Sequence, residues 1–456
     1  MQNIKENMRE NLKNMTIEEK KELLIELSRE TGSDFEKMSY ANFGQIKDRS
    51  DDEIFQFSDW QKYFMEKDLY SLETKRAGLA KPNITIQRKS GEEFNVINFA
   101  SFDYLGYSNN KDVIKSAKVA LDKYGIGAGA TPIVSGTLDL HTQLEEKLIK
   151  FYGLDGYGIS LFSSGFGTLI GSISAYMKEP DHIVLDGLAH ASIVDGSLLS
   201  GAKLHFFDHN DMEELEEILE ELNDGKNRIL ICTEGVYSAD GDYGDLKNIV
   251  RLAKKYGAKT LVDEAHSILV AGPTGRGVCE KMGVLGEVDL IVGTLSKAFG
   301  GVGGYLFAKK HITNYVNFYA RNRMFSTSMD PAVAGGLIGV IDQAMKPESN
   351  DLRERLYENA DYFRSLIDKY IHTGESVTWM VPVIYGDEKK TFEIADFLQR
   401  EGFEGSMMTY PGCAKNRARI RVFINAFHTK PELERGAEII FKGAEKFHFF
   451  KDDLSF

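Results

Sequence analysis

Between Gly158 and Gly304 one pattern recurs: a short apolar run, a polar or glycine-bearing turn, then a stretch with apolar residues at helical spacing. The apolar runs are GISLFSSG, HIVLDGLAH, KLHFFDHN, RILICTEGVYS, KTLVDEAHS and VDLIVGTLSK. They lack the in/out alternation of a half-solvated sheet, which predicts strands buried on both faces of a parallel sheet. MEELEEILEEL and LKNIVRLAKKYG read as the helices between them, and the alternation makes the chain α/β. Upstream, NVINFASFDYLGYS predicts a strand and an aromatic turn. Lys111–Tyr124 reads as a helix, YGIGAGATPIVSGT as a glycine-rich loop, and LHTQLEEKLIKFYG as an amphipathic helix stopped by Gly153. Beyond Phe325 two long helical stretches (Pro331 to Ala344, Leu352 to Tyr370) precede short strands around TWMVPVIYG and ARIRVFIN, so a smaller C-terminal α+β domain is expected. At the other end MTIEEKKELLIELSRE places Leu23, Leu24 and Leu27 at helical spacing behind a capping box of Thr16 and Glu19. The expected division is a helical extension over 1–60, docked on the body, serving as an arm for a partner such as a carrier protein, or disordered. An N-terminal segment over 61–110, a large domain over 111–325 and a small domain over 326–456 follow.

The 456 residues are enough for a large core and more than one lobe. A net charge of −14 argues against non-specific nucleic-acid or anionic-membrane binding. Three cysteines without CxxC spacing suggest neither a disulfide framework nor a zinc site, so no metal is expected. No apolar run has the length of a membrane span, and a cytoplasmic location is expected.

In a parallel α/β sheet, ligands collect at the carboxyl ends of the strands. Polar residues stand at those ends here: Ser163 and Ser164, His190, Glu234, Asp263 with His266, and Thr294 with Lys297. Lys297 follows a buried strand and precedes a glycine run, where an ammonium is costly unless it is paired or loses its charge. A Schiff base to a carbonyl cofactor removes that charge and makes the amine useful. The DEAH sequence at Asp263–His266 also occurs in nucleotide-dependent helicases, but those need a GxxxxGK[ST] phosphate loop, and this chain has none.

From about Asn95 to its C-terminus the chain resembles the α-oxoamine synthase family of pyridoxal 5'-phosphate (PLP) enzymes of fold type I. The resemblance rests on SFDYLGYS, GTLDLHTQLEEKL, LFSSGF, AHASIVDG, TEGVYSADGD, DEAHS, GPTGRG, GTLSKAFGGVGG, FSTS and ARIRV…H, all in the family's order. It implies a large PLP-binding domain with a mainly parallel sheet and a smaller C-terminal domain. It implies that Lys297 holds the cofactor and moves the Cα proton, that Asp263 pairs with the pyridine nitrogen, and that His190 lies over the ring. His266 would reach the phenolic oxygen. Ser164, Gly165 and Phe166, at a helix start, would take the phosphate with help from Thr294. Ser326 and Thr327 match a segment that reaches the phosphate from the other subunit, implying a homodimer. Arg419 matches the arginine that clamps the amino-acid carboxylate, with Arg421 as its rival on the same strand face. Thr131 and Ser192 complete the implied substrate side, and Thr131 favours a small amino acid such as glycine over serine.

The implied reaction is decarboxylative condensation of a small amino acid with an acyl thioester, on CoA or on an acyl-carrier protein, to an α-amino ketone and CO2. An aminotransferase on the same fold and a catalytically silent partner subunit are the alternatives; intact Lys297 and Asp263 argue against the latter. Phe102, Ala189, Leu169, Leu269 and Pro132 stand where the family commonly has Asn, Asn, Asn, Gly and Arg. Phe102, Leu169 and Leu269 predict a more apolar acyl channel.

Overall fold

The computed structural model describes Phe35 and residues 51–454 except Pro411, with the side chains of residues 51–53 left aside. The expected helix over Met15–Glu30 lies outside the described residues. The chain begins with α1 (Asp51–Glu66), followed by β1 (Lys75–Arg76), β2 (Asn83–Gln87), β3 (Glu93–Asn98), α2 (Lys111–Tyr124) and α3 (Asp139–Tyr152). Then come β4 (Tyr157–Phe162), α4 (Gly165–Tyr176), β5 (His182–Asp186), α5 (Ala191–Ser200), β6 (Lys203–Phe207) and α6 (Met212–Leu222). They lead to β7 (Ile229–Glu234), α7 (Leu246–Tyr256), β8 (Lys259–Asp263), β9 (Leu290–Thr294), β10 (Gly304–Lys309) and α8 (Lys310–Tyr319). The C-terminal part holds α9 (Pro331–Ala344), α10 (Glu348–Ile367), β11 (Met380–Gly386), α11 (Thr391–Arg400), β12 (Phe403–Glu404), β13 (Ser406–Met408), β14 (Ala418–Phe423) and α12 (Lys430–Phe447).

Seven strands form the main sheet in the order β4-β10-β9-β8-β7-β5-β6. Strands β5 to β9 pair in parallel, and β10 runs antiparallel to both β9 and β4. Successive residues of β7 feed opposite faces: Leu230 and Cys232 join a core with Ile173 and Ile193, while Ile229 and Ile231 join one with Leu219 and Leu252. Helices thus cover both sides, which is why the strands read as unbroken apolar runs. The run KLHFFDHN departs from this expectation. As β6 it is the edge strand, and only Phe207 of its five residues is buried.

The chain leaves β5 outward to β6 and returns to β7, from which it proceeds the other way to β8. The carboxyl ends of β5 and β7 therefore flank a topological switch point, where α/β sheets bind ligands. Register lines up the polar ends: Glu234 pairs with Asp263, and Gly304 of β10 pairs with both Thr294 and Phe162, the residue before Ser163.

The smaller lobe packs α10, α11 and α12 around the antiparallel sheet β11-β14-β13. A four-stranded sheet, β1-β2-β3-β12, joins the N-terminal segment to this lobe through the parallel β3–β12 pair. α1 docks there too, with Trp60 and Phe64 against Phe392 of α11. Two residues of β12 gave no strand signal; their pairing follows from Phe403 being buried beside Phe99 at a ring separation of 4.7 Å.

Candidate active site

Lys297 sits in the tight connection between β9 and β10. The loop is closed by Gly300 N–H donating to the Lys297 carbonyl at 2.7 Å and Leu295 N–H to that of Gly303 at 2.9 Å. Gly300 has φ +66°, and a Cβ there would lie 2.6 Å from the Ser108 backbone nitrogen, so both conformation and space require glycine. Burial pulls the Lys297 amine down to about 8 against the opposing fields of Asp263 and Glu234. Burial likewise pushes the Asp263 carboxyl up, so both partners are drawn toward neutrality. Asp263 accepts a hydrogen bond from Ala265 N–H at 2.9 Å. A protonated ring nitrogen set against it would restore its charge.

His190 is the N-cap of α5. Its Nδ1 accepts from Ser192 N–H at 3.3 Å and lies 2.6 Å from the Ser192 hydroxyl. Burial lowers its pKa, and with Nδ1 an acceptor the proton of the neutral ring is on Nε2. The backbone N–H of His190 donates to Glu234 Oε1 at 2.7 Å. Burial, then the field of Asp263, drives the Glu234 carboxyl well above the usual range. Glu234 was visible in the sequence as a polar strand end, but the bond that fixes the His190 turn was not.

His266 Nδ1 is 2.8 Å from the Tyr104 hydroxyl, and burial holds the ring neutral. With the phenol donating to Nδ1, His266 presents Nε2–H as a donor. Phe102 meets its edge at 5.9 Å and lies 5.9 Å from Lys297 Nζ. Of the three apolar departures, only Phe102 is at the site. Leu169 and Leu269 are packed in the cores, and Leu269 adopts φ +66°, a conformation that favours glycine. The expected apolar lining therefore reduces to Phe102.

The phosphate end is built at α4. Ser164 caps the helix by accepting from Gly167 N–H at 3.0 Å, leaving the N–H groups of Gly165 and Phe166 in the turn that no carbonyl of the helix reaches. A Cβ on Gly165 would sit 2.5 Å from Thr294 Oγ1, so this glycine brings the Thr294 hydroxyl to the helix mouth. Phe166 meets His190 edge to face at 6.1 Å. A buried carboxylate, a half-buried amine of lowered pKa, a neutral donor imidazole and an uncapped helix start fit PLP.

Two residues expected on the substrate side have protein partners in the structure. Ser192 is fully buried against His190, so its hydroxyl orients that ring rather than facing a substrate. Arg419 is 4% exposed and already ion-paired, its Nη1 2.6 Å from Asp240 Oδ1 and 2.9 Å from the Ala239 carbonyl. Arg421, two residues on and on the same face of β14, is half-buried. Its charge acts on Lys297, His190 and His266, and its guanidinium lies 5.1 Å from the Phe423 ring, itself stacked 6.5 Å from His266. Of the two guanidinium groups, Arg421 is the one whose charge reaches Lys297 and both histidines.

Thr131, Ser326 and Thr327 form a second group. Thr131 opens the turn whose Gly136 N–H returns to its carbonyl at 2.9 Å, and the carbonyl of Ala130, just before it, accepts Ser328 N–H at 3.1 Å. Ser326 and Thr327 line a cavity of about 30 Å³ with Ser163, Pro132 and Arg323, next to the α4 cap. His428, which had no expected role, is buried and accepts from Asn425 N–H at 3.0 Å, closing the turn after β14.

The aminotransferase class I and II family matches residues 95–440. The chain is similar to the 8-amino-7-oxononanoate synthase of Thermoanaerobacter pseudethanolicus, at 39% identity over 79% of this chain and 92% of the relative. It is 38% identical to that of Treponema denticola, over 82% and 95% respectively. Among solved structures, a serine palmitoyltransferase from S. paucimobilis carrying PLP and myriocin superposes with a TM-score of 0.81, at 28% identity over 88% of this chain and all of that one. The 8-amino-7-oxononanoate synthase of Francisella tularensis gives 0.66, at 27% identity over 77% of this chain and 99% of that one.

Proposed function

The chain belongs to the α-oxoamine synthase branch of the class I and II aminotransferase family, and we propose which of its residues carry the branch's chemistry. It is a PLP-dependent acyltransferase that condenses a small amino acid with an acyl thioester, releasing CO2 and leaving an α-amino ketone. The cofactor supplies an electron sink for the Cα carbanion. Lys297 would hold it and then, as a free amine that burial lowers to about 8, take the Cα proton. Asp263 keeps the ring nitrogen protonated, His266 donates Nε2–H to the phenolic oxygen, and His190 covers one ring face. The α4 start with Thr294 holds the phosphate. Arg421 would grip the amino-acid carboxylate and so orient the Cα proton toward the Lys297 amine.

The observation that carries this reading is the place of Lys297 in the tight turn after β9, where burial lowers its amine against the fields of Asp263 and Glu234 and Arg421 adds to the lowering. The synthase relatives favour it over the aminotransferase alternative. Their product's name also points to an amino acid: an amino group on C8 beside a C7 ketone and a terminal methyl is what alanine leaves on losing its carboxyl carbon. Alanine is therefore the first amino acid to test, ahead of glycine and serine. Exposed Phe318, Tyr319 and Phe325 beside Ser326 and Thr327 support a homodimer in which these residues reach the partner's phosphate. A cytoplasmic location accords with this reading; among the described residues no helix is long and apolar enough to cross a membrane.

The test supplies PLP, one amino acid and an acyl-CoA or acyl-carrier thioester, and measures CO2 and free thiol. One-to-one release that needs both substrates and disappears in Lys297→Ala is expected. Amino-group transfer to a keto acid with no CO2 would replace the reading by the aminotransferase one.

A further inference from the structure

His209 stands between two carboxylates that belong to different parts of the site. Its Nδ1 is 3.0 and 3.1 Å from the two oxygens of Asp186, and its Nε2 is 2.7 Å from Asp242 Oδ2. An imidazole with a carboxylate at each nitrogen is a donor at both and therefore cationic. Burial opposes that charge, but the hydrogen bonds and fields of Asp186 and Asp242 outweigh it and raise the ring to about 10. Asn210 Nδ2 donates one of its two hydrogens to the Tyr243 carbonyl at 3.0 Å and lies 3.2 Å from His209 Nε2, farther than the Asp242 oxygen at 2.7 Å. The Tyr237 ring meets the imidazole edge to face at 4.4 Å.

What each carboxylate anchors gives the contact its meaning. Asp186 ends β5 and accepts Leu188 N–H at 2.9 Å, while its carbonyl takes Ala189 N–H at 2.9 Å; the next residue is His190. Asp242 lies on the loop after β7. On that same loop Ser238 offers its carbonyl to Arg421 at 3.3 Å, and Ala239 and Asp240 hold Arg419. Asn210, at φ 56°, ties the loop's far end through Tyr243 and Asp245. The side chain of Asp186 has no exposed surface, so without the imidazolium a buried carboxylate would face a second one with nothing between them.

We propose that His209 is a positioning residue for the amino-acid site, a cationic strap that fixes the distance between the turn presenting His190 and the loop seating Arg421. The proposal rests on the roles given above to His190 and Arg421. Neither residue touches His209, so the effect is on geometry and falls on the amino acid, held by Arg421 at the ring that His190 covers, and not on the acyl thioester.

The experiment compares the holoenzyme with His209→Leu and with His209→Gln, the latter keeping one donor and dropping the charge. Expected are a rise of about tenfold or more in the amino-acid KM for His209→Leu, a smaller one for His209→Gln, and a thioester KM within about twofold of the parent. Both KM values unchanged, or both raised equally, would overturn the proposal even if the melting temperature fell. A second readout needs no turnover: ¹⁵N nuclear magnetic resonance of the cofactor-free protein, with His209 assigned by its loss in His209→Gln. Both ring nitrogens should remain protonated from pH 6 to about 9, and a midpoint near the ordinary histidine value would overturn the strap. Because this arm reads the strap in a protein that condenses nothing, failure of the catalytic reading would be seen separately.

Discussion

Replacing Arg421 and Arg419 one at a time separates two guanidinium groups that sequence cannot tell apart. A charged hydrogen bond contributes about 1.5–3 kcal/mol, and a guanidinium fork on a carboxylate makes two. Arg421 is half-buried, so solvent screens part of this, and about 3 kcal/mol for the clamp is a fair working value. At about 1.4 kcal/mol per tenfold, Arg421→Ala should raise the amino-acid KM by roughly a hundredfold, and Arg421→Lys by less because the ammonium lacks the fork. Arg419→Met instead breaks the ion pair with Asp240 and deprives the Ala239 carbonyl of its donor. The Asp240 side chain is 26% exposed, so water can take over part of the lost bonding; a stability loss of about 1–3 kcal/mol is expected. The amino-acid KM should rise by less than about tenfold, through the shared loop. Steady-state kinetics with the amino acid varied, paired with urea midpoints, reads both effects. A hundredfold rise in KM for Arg419→Met beside near-parental kinetics for Arg421→Ala would refute the reasoning and restore Arg419 as the clamp.

Lys297 should capture PLP in its neutral form, so the capture rate in the cofactor-free protein should climb as pH rises and level off above about 8. Stopped-flow absorbance checks this, and a midpoint near the ordinary lysine value of about 10.4 would mean that burial does not lower this amine. At Glu234, Gln retains the oxygen that accepts the His190 N–H, whereas Ala removes it and costs the part-buried bond, about 0.5–1.5 kcal/mol. Glu234→Ala should therefore lower the urea midpoint and kcat together while Glu234→Gln stays near the parent; equal loss in both would point to the carboxylate's charge instead.

What was legible in the sequence and what was not divides along the range of the interaction. Buried strands announce themselves locally, because helices on both faces make every position apolar. The polar residues that end them, among them Asp263 and Thr294, then mark the sheet edge where a ligand collects. Helix limits such as Lys111–Tyr124 and the stop at Gly153, which takes φ +67°, are likewise local chemistry. Less legible are residues whose surroundings depend on a partner far along the chain. Arg419 and Arg421 share a face of β14, and only Asp240, on the loop after β7, removes the first from the site. Ser192 looks like a substrate contact until His190 folds back onto its hydroxyl. Leu169 and Leu269 read as channel-lining because apolar residues near a site and apolar residues in a core have the same letters. His209 had no motif of its own, being a polar residue after an edge strand, and its place between Asp186 and Asp242 exists only once β5, β6 and β7 are side by side. The groups proposed to react thus stand at strand ends, while those proposed to aim them lie on loops brought together by the crossover order. Variants at the aiming positions should therefore shift substrate KM values before they abolish cofactor binding.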